Sequence, residues 1–260
     1  MKKQAVVLAG GLGTRLRPYT TVLPKPLMPV GTEAIITILL KQLKRDGFEH
    51  VIIATGYLGE IMEAYLGNGK RFDLVIEYSR EEKPLGTAGP LGLIQNLEEK
   101  FLVVNGDTLC TLDFEEFYRT HQESGVYATI GTYKKSTKID LGVLHFDEEN
   151  FLQEYIEKPE HTFDISMGIY VLNRSVTDEI PYNERFDLPD LMRSLIKKNM
   201  SVKGYRLDGM WYDIGRVDDY KMAQDEYERN PSYFLAKKKQ PTYEAENFSF
   251  GSGGILGKTS

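Results

Sequence analysis

The chain has 260 residues, enough for one large domain or two small ones, and its 41% hydrophobic and 27% charged residues are typical of a protein that buries a core. Its net charge of -6 disfavours nucleic-acid binding, and no apolar run approaches the roughly 20 residues that cross a bilayer. The single cysteine, Cys110, excludes an intramolecular disulfide and a cysteine-cluster metal site. With only a short apolar run after Lys3, the sequence predicts a cytoplasmic location and no membrane association.

The first half of the chain alternates short β-branched runs with segments of helical period, which is typical of a mostly parallel sheet covered by helices. Strands are predicted at residues 4–8, 51–55, 74–78 and 101–104, and helices at 34–45, 59–66, 91–98 and 113–122. Asp113 precedes Glu116 by three residues, as in a capping box, and should begin the last of these helices. The pattern predicts an α/β fold.

From Val126 onward the pattern changes to strands separated by turns. Strands are predicted at 127–133, 142–146, 151–156, 165–172 and 201–206, with a hairpin around the polar turn 147–150. Helices are predicted near Val176, at 187–197 with Asp187 as its cap, and at 217–229. The signal fades beyond Pro231, so we expect one domain over 1–229, with halves at about 1–125 and 126–229, and a C-terminal tail at 230–260.

A glycine-rich loop at residues 9–16, with the sequence AGGLGTRL, directly follows the first predicted strand. Glycines at such a place let the backbone approach a ligand and aim N–H groups at phosphate oxygens. A Walker loop would end in Lys and then Ser or Thr, whereas this chain has Thr14 and Arg15. A dinucleotide fingerprint would have its third glycine where Leu16 stands. The loop therefore predicts phosphate binding of another kind.

Two cations accompany this loop, Arg15 and Lys25. Such charges suit a nucleoside triphosphate whose terminal part leaves as pyrophosphate, because negative charge accumulates on the leaving group. Pro24 and Pro26 flank the lysine and should hold its backbone in an extended form. The two cations and the glycine loop together predict a triphosphate site.

The strings GGLGTRL at 10–16 and PKP at 24–26 resemble the signature of the sugar-phosphate nucleotidyltransferases. The resemblance continues through PLGTAG at 84–89, VNGD at 104–107, EKP at 157–159 and WYDIG at 211–215, and so covers roughly residues 4–229. It implies a Rossmann-like three-layer sandwich with a mostly parallel central sheet and an inserted β-rich, sugar-binding part. The first half would bind nucleotide and the second half the sugar phosphate, and a homo-oligomer would be in keeping with the family.

The resemblance also implies roles for individual residues. Arg15, Lys25 and Asp107 would be catalytic, and Asp107 and Asp213 would hold Mg²⁺, which is consistent with the place of Asp107 at the end of an apolar strand. The residues expected to bind nucleotide are Leu8, Ala9, Gly10, Gly11, Gly13, Thr14, Gly86 and Thr87. Those expected to bind the sugar phosphate are Gly142, Glu157, Lys158 and Gly168. Ser166 stands where relatives often carry Asn, so the resemblance does not identify which sugar is the substrate.

The resemblance implies a reaction in which a sugar 1-phosphate and a nucleoside triphosphate give an NDP-sugar and pyrophosphate. The segment 84–89 is most similar to the corresponding segment of enzymes that use GTP with mannose or heptose 1-phosphate. The same reaction with dTTP, UTP or CTP and another phosphorylated acceptor is the alternative. A catalytically silent regulatory subunit is a further alternative, although it would be expected to lose Arg15, Lys25, Asp107 or Asp213, and all four are present. A second charged group, Arg185 with Asp187 and Asp190, is attributed to helix capping and ion pairing.

Overall fold

A computed structural model of the chain describes residues 2–215 and 217–236. The strands are β1 (Lys3–Leu8), β2 (Pro29–Val30), β3 (Glu33–Ala34), β4 (Phe48–Thr55), β5 (Val75–Arg80), β6 (Lys100–Asn105), β7 (Thr108–Cys110), β8 (Ala128–Lys138), β9 (Val143–Phe146), β10 (Leu152–Ile156), β11 (Glu160–Asn173), β12 (Val202–Arg206) and β13 (Trp211–Asp213). The α-helices are α1 (Ile35–Arg45), α2 (Gly59–Leu66), α3 (Phe114–Ser124), α4 (Leu188–Lys197), α5 (Val217–Arg229) and α6 (Pro231–Leu235). Short 3-10 helices lie at Thr14–Leu16, Tyr19–Thr21, Lys25–Leu27, Lys70–Phe72, Gly89–Leu93 and Arg174–Glu179. None of the helices in the described ranges combines the length and apolarity needed to cross a membrane.

Seven strands form the central sheet, in the order β12-β8-β11-β6-β1-β4-β5. The four strands β6, β1, β4 and β5 run parallel, as do β12 and β8, while β11 lies antiparallel to both of its neighbours. Both halves of the chain therefore contribute to one sheet. The predicted α/β fold with a mostly parallel sheet is confirmed.

Side chains alternate between the two faces of the sheet, so each face has its own apolar layer. Val7 and Ile53 lie on the face that packs against α1, α2 and α3, whereas Val6 and Ile52 lie on the face that packs against α4. All four of these strand residues are buried. Helices cover the sheet on both sides, which makes the three layers that the resemblance implied.

A third apolar cluster joins the C-terminal helices to α1. Phe234 on α6 is fully buried, and its ring lies 5.6 Å from that of Tyr227 on α5. Gln42 and Arg45 on α1 donate hydrogen bonds to the Phe234 carbonyl at 2.8 and 3.2 Å. The packed chain thus continues past the predicted domain end at 229, while the rest of the predicted tail, 237–260, lies outside the described residues.

The helix predicted at 91–98 is wrong. Only the 3-10 helix Gly89–Leu93 forms there, and residues 94–99 have an irregular path. The side chain of Gln4 accounts for this path, because it donates to the carbonyl of Asn96 at 3.0 Å and accepts from the N–H of Glu98 at 2.8 Å. Backbone groups that would otherwise need helical partners are satisfied by a buried amide from β1.

The strands β8 and β11 are longer than predicted. They continue pairing with each other beyond the sheet, from Tyr133 opposite Ile165 to Lys138 opposite Glu160. This extension is exposed and rich in charged residues, so it lacks the apolar alternation by which strands are recognised in sequence. The paired extensions form a two-stranded arm. In sequence, the predicted hairpin β9–β10 lies between the two strands of this arm.

Candidate functional site

A cavity of about 970 Å³ opens at the carboxyl ends of the parallel strands β6, β1, β4 and β5. Its walls include Asp107 after β6, Gly10 after β1, Gly56 after β4 and Glu81 after β5. Ligands of open α/β sheets bind outside this edge, because the loops there turn back across the strand ends. The cavity is therefore the primary candidate site.

The glycine-rich loop forms one wall of this cavity. Gly13 has a left-handed backbone with φ 59°, and a Cβ there would lie 2.8 Å from the methyl group of Thr20. The Thr20 hydroxyl donates to the Gly13 carbonyl at 2.8 Å and fixes the loop from behind. The backbone N–H groups of residues 11–14 donate to no other described residue. They form a set of donors suited to phosphate oxygens.

Lys25 and Asp107 form an ion pair inside the cavity. Lys25 begins a 3-10 helix in which Leu27 and Met28 donate to the carbonyls of Pro24 and Lys25 at 2.8 and 3.0 Å. The expected extended backbone is therefore wrong: a 3-10 turn needs no N–H from Pro26, so a turn forms where an extended segment was predicted. The two side chains are only 13% and 18% exposed, so the ammonium group is held in place.

Asp213 is brought near the end of β6 by a separate two-stranded ladder, in which β13 pairs with β7. On the short ladder of β7 and β13 it lies opposite Thr108, the residue after Asp107. The Asp213 carboxylate and the Arg15 guanidinium each come within 3.0 Å of the point where a Cβ on Gly215 would lie. Two carboxylates and two cations are thus grouped near the end of β6, although Asp213 itself does not line the cavity.

Pro84, Gly86 and Thr87 also line the cavity, and the start of α4 holds this segment in place. The Asp187 carboxylate accepts the N–H of Thr87 at 2.9 Å, and the Thr87 hydroxyl accepts the N–H of Leu188 at 2.8 Å. Asp187 is the N-cap residue of α4, as predicted, but its side chain makes no capping bond within the helix. Thr87 supplies a side-chain acceptor there from another part of the chain. Gly86, with φ 79°, lies so close to Asp187 that no side chain would fit.

The structure brings most of the predicted site residues together. Those that line the cavity are Leu8, Ala9, Gly10, Gly11, Gly13, Thr14, Arg15, Lys25, Gly86, Thr87 and Asp107. Within the described ranges the lining includes none of Gly142, Glu157, Lys158, Gly168 or Asp213. Gly168 lies next to the cavity, because a Cβ there would overlap the side chain of Asn105, a lining residue.

Three of the predicted sugar-phosphate residues form a separate cluster near the hairpin β9–β10. The Tyr155 hydroxyl donates to Glu157 at 3.2 Å and also occupies the space beside Gly142. Lys158, whose backbone φ is 47°, has its ammonium 3.9 Å from Glu157 and is 54% exposed. The pair is solvated and lies outside the cavity lining.

Several lining residues were not predicted from the sequence. Arg80, Lys83 and Arg185 add positive charge, so that five basic and three acidic side chains face the cavity in a chain of net charge -6. Glu81 is one of the acids, and burial raises the pKa of its carboxyl group despite a hydrogen bond from the backbone of Leu85. Its place after β5 is the same signal that identified Asp107 after β6, and that signal would have found it.

Within the described ranges no group of three or more His, Cys, Asp or Glu is arranged to hold a metal ion. Asp107 and Asp213 are two carboxylates, and Mg²⁺ is commonly held by one or two carboxylates together with substrate phosphates and waters. The donor set fits Mg²⁺ bound jointly with a triphosphate, and it does not resemble a cage built from protein ligands alone.

Comparisons with known proteins agree with this geometry. The chain is 33% identical over 240 residues to the UTP–glucose-1-phosphate uridylyltransferase of Synechocystis, covering 85% of this chain and 62% of the relative. It is 35% identical over 227 residues to the mannose-1-phosphate guanylyltransferase of Mycobacterium tuberculosis, covering 83% and 62%. The chain therefore spans less than two thirds of the length of these relatives.

Among solved structures, HddC from Yersinia pseudotuberculosis matches with a TM-score of 0.67 and 26% identity, covering 86% of this chain and 99% of that one. The sequence profile described as nucleotidyl transferase matches residues 4–230, which is nearly all of the described chain. The glycine loop, its two cations and both Asp107 and Asp213 lie in the matched region, and the chain belongs to the nucleotidyl transferase family.

Proposed function

We propose that the protein joins a nucleoside triphosphate to a sugar 1-phosphate and releases pyrophosphate. One observation carries this proposal: donor N–H groups of the glycine loop, Arg15, Lys25 and Asp107 all meet in one cavity at the carboxyl edge of the parallel sheet. This arrangement can bind a triphosphate and neutralise charge on its leaving part.

The reaction needs no covalent enzyme intermediate. An oxygen of the sugar 1-phosphate forms a bond to the α-phosphorus, and the bond from that phosphorus to the β-bridging oxygen breaks. Pyrophosphate leaves with the electron pair, and no proton has to move, because a phosphate monoester is largely ionised near pH 7. Arg15 and Lys25 act by positioning the triphosphate and by countering charge that develops on the departing group.

Asp107 and Asp213 would hold Mg²⁺, which would neutralise phosphate charge and orient the triphosphate. The positions of the two carboxylates support this assignment, because Asp107 lines the cavity and Asp213 lies opposite the next residue, Thr108. Chain residues would bind and orient the substrates, and a metal held by Asp107 and Asp213 would supply Lewis-acid charge.

GTP with a mannose- or heptose-like 1-phosphate is the substrate pair that we favour. Support comes from relatives named as mannose-1-phosphate guanylyltransferases, including that of Mycobacterium tuberculosis. The Synechocystis relative is named as a uridylyltransferase, and so UTP is the competing nucleotide.

We assign the second substrate to Glu157 and Lys158, with Gly142 and Gly168 shaping the space around it. An ammonium suits the sugar phosphate and a carboxylate suits sugar hydroxyls. The order of the sheet supports this proposal, because β8 and β11 carry the arm and lie on the β6 side of the cavity, next to Asn105. Homo-oligomer formation and a cytoplasmic location stay predictions from the sequence.

The first test is pyrophosphate release with Mg²⁺, each of the five common nucleoside triphosphates and a panel of mannose, glucose and heptose 1-phosphates. We expect release only when a triphosphate and a sugar phosphate are both present. Lys25→Ala and Asp107→Ala should lower turnover by at least about a hundredfold, as removal of a group that stabilises a transition state does.

Lys41→Ala is the matched control, because this exposed lysine lies outside the cavity lining and its ion-pair partner among the described residues is Glu33, so the variant should keep full activity. Turnover of Lys25→Ala within a few fold of the wild type would contradict the proposed mechanism. Silence across the whole panel, with triphosphate binding retained, would favour a nucleotide-binding regulatory subunit instead.

A further inference from the structure

Gly142 and Glu157 lie at the two ends of the hairpin β9–β10, where the hairpin joins the arm. Val143 pairs with Ile156 in the last register of this hairpin, so Gly142 before β9 and Glu157 after β10 come next on the two chains. Alternate residues of a strand point to the same face, and Tyr155 therefore shares a face with Glu157. The same register makes Tyr155 the diagonal neighbour of Gly142 across the pair.

The ring of Tyr155 covers Gly142. A Cβ on Gly142 would lie 2.6 Å from Tyr155 Cζ and 3.0 Å from Cε1, and the hydroxyl oxygen occupies the same space. Any side chain at position 142 would therefore push the ring away. Tyr155 is 60% exposed as a whole, but the close approach of the glycine backbone fixes its ring on one side.

The Glu157 carboxylate is contacted at both of its oxygens. The Tyr155 hydroxyl donates to Oε2 at 3.2 Å, and the Lys158 ammonium lies 3.9 Å from Oε1. Because the side chains of Glu157 and Lys158 are both more than half exposed, their ion pair alone orients the carboxylate weakly. The hydrogen bond from a ring that is itself held in place is the stronger constraint.

The backbone that follows Glu157 is also constrained. Lys158 has a φ of 47°, which is uncommon for a residue other than glycine, and the proline after it restricts its backbone further. The N–H of Ile139 donates to the Pro159 carbonyl at 3.0 Å and ties this turn to the end of β8. A backbone of this kind persists only where its surroundings impose it. The carboxylate and the ammonium therefore extend from a turn that is set by the fold.

We propose that Tyr155 is a positioning residue for the second substrate, and that its hydroxyl holds the Glu157 carboxylate in the orientation that accepts hydrogen bonds from the sugar. This inference rests on the proposed function, which assigns Glu157 and Lys158 to the sugar 1-phosphate. A carboxylate accepts at about four positions, so the bond from Tyr155 leaves others for sugar hydroxyls. Without this bond the carboxylate would have to be ordered during binding, and that ordering weakens affinity.

Steady-state kinetics of Tyr155→Phe test the inference, because this variant removes the hydroxyl and keeps the ring. The probe is mannose 1-phosphate or glucose 1-phosphate, whichever turns over faster. We expect KM for this sugar phosphate to rise about three- to tenfold, the scale of one hydrogen bond, while kcat and KM for the triphosphate stay within about twofold. Tyr182→Phe is the matched control: it removes the hydroxyl of an exposed tyrosine outside the cavity lining and should leave all three constants within about twofold.

Glu157→Ala shows whether Tyr155 acts through the carboxylate. Alone, this variant should raise KM for the sugar phosphate by about tenfold or more. Tyr155→Phe added to it should change KM by less than about twofold, because the group that Tyr155 positions is gone. An equal effect of Tyr155→Phe in both backgrounds, no effect in the wild type, or a rise confined to KM for the triphosphate would overturn the inference.

Calorimetric titration with mannose 1-phosphate and glucose 1-phosphate separates this inference from the proposed reaction. If the wild type released no pyrophosphate but bound either sugar phosphate about three- to tenfold tighter than Tyr155→Phe does, the reaction would be refuted and the role of Tyr155 would stand. If pyrophosphate release were normal and Glu157→Ala left KM for the sugar phosphate unchanged, the reaction would stand and the role of Tyr155 would be refuted. Absence of both release and binding would refute both.

Discussion

Gly86 is the position where the cavity wall tolerates no side chain. Its φ of 79° lies in the left-handed region, which costs other residues about 1–2 kcal/mol. A Cβ there would also lie 2.6 Å from Asp187 Oδ1 and 2.8 Å from the backbone carbonyl oxygen of Phe186, and overpacking of this kind typically costs about 1–3 kcal/mol. Stiffening of the unfolded chain by alanine offsets about 0.4–1 kcal/mol. We expect Gly86→Ala to lower the free energy of unfolding by about 1–5 kcal/mol.

The measurement is urea denaturation followed by circular dichroism, with Gly11→Ala as the matched control. Gly11 lines the same cavity, its φ is not left-handed, and a Cβ there would meet nothing within 4 Å. The free energy of unfolding of this control should lie within about 1 kcal/mol of the wild-type value. If Gly86→Ala were as stable as Gly11→Ala, Asp187 and Phe186 would be able to move aside for a methyl group. That result would refute the claim that their close approach excludes a side chain at position 86.

Two further predictions concern the C-terminal helix and the metal. Phe234→Ala should lower the free energy of unfolding by about 3–5 kcal/mol in the same denaturation assay, since its fully buried ring would leave a cavity; a loss below about 1 kcal/mol would mean that α6 does not belong to the core. Addition of EDTA should abolish pyrophosphate release and excess Mg²⁺ should restore it, whereas activity that survives the chelator would contradict the roles of Asp107 and Asp213.

Local signals in the sequence predict most individual elements of the first half. The buried strand β1, with its run of apolar residues, and the helix α2, which matches the prediction at both ends, follow from hydrophobic periodicity. The capping bond from Asp113 to the N–H of Glu116, at 2.9 Å, follows from a spacing of three residues. Each of these features depends on neighbours within a few positions in the chain.

Errors occurred where a distant residue satisfies the backbone. The helix expected at 91–98 is replaced because Gln4, about 90 positions earlier, bonds to Asn96 and Glu98. The side-chain acceptor for the N–H of Leu188, at the start of α4, is the hydroxyl of Thr87, 101 positions earlier, and not the carboxylate of the adjacent Asp187. No local pattern reports a partner of that kind.

The sequence by itself determined the α/β class, the glycine loop after β1 and the residue types of the phosphate-binding end, because strand periodicity and the order of Gly, Arg and Lys are written along the chain. Only the tertiary structure decided that Lys25 pairs with Asp107, that Asp213 lies opposite Thr108 on the ladder of β7 and β13, and that Glu81 packs against Gly10. These contacts join residues that are up to 105 positions apart, as Thr108 and Asp213 are. Their proximity is set by the order and register of strands in the sheet, which arise from packing of the whole chain.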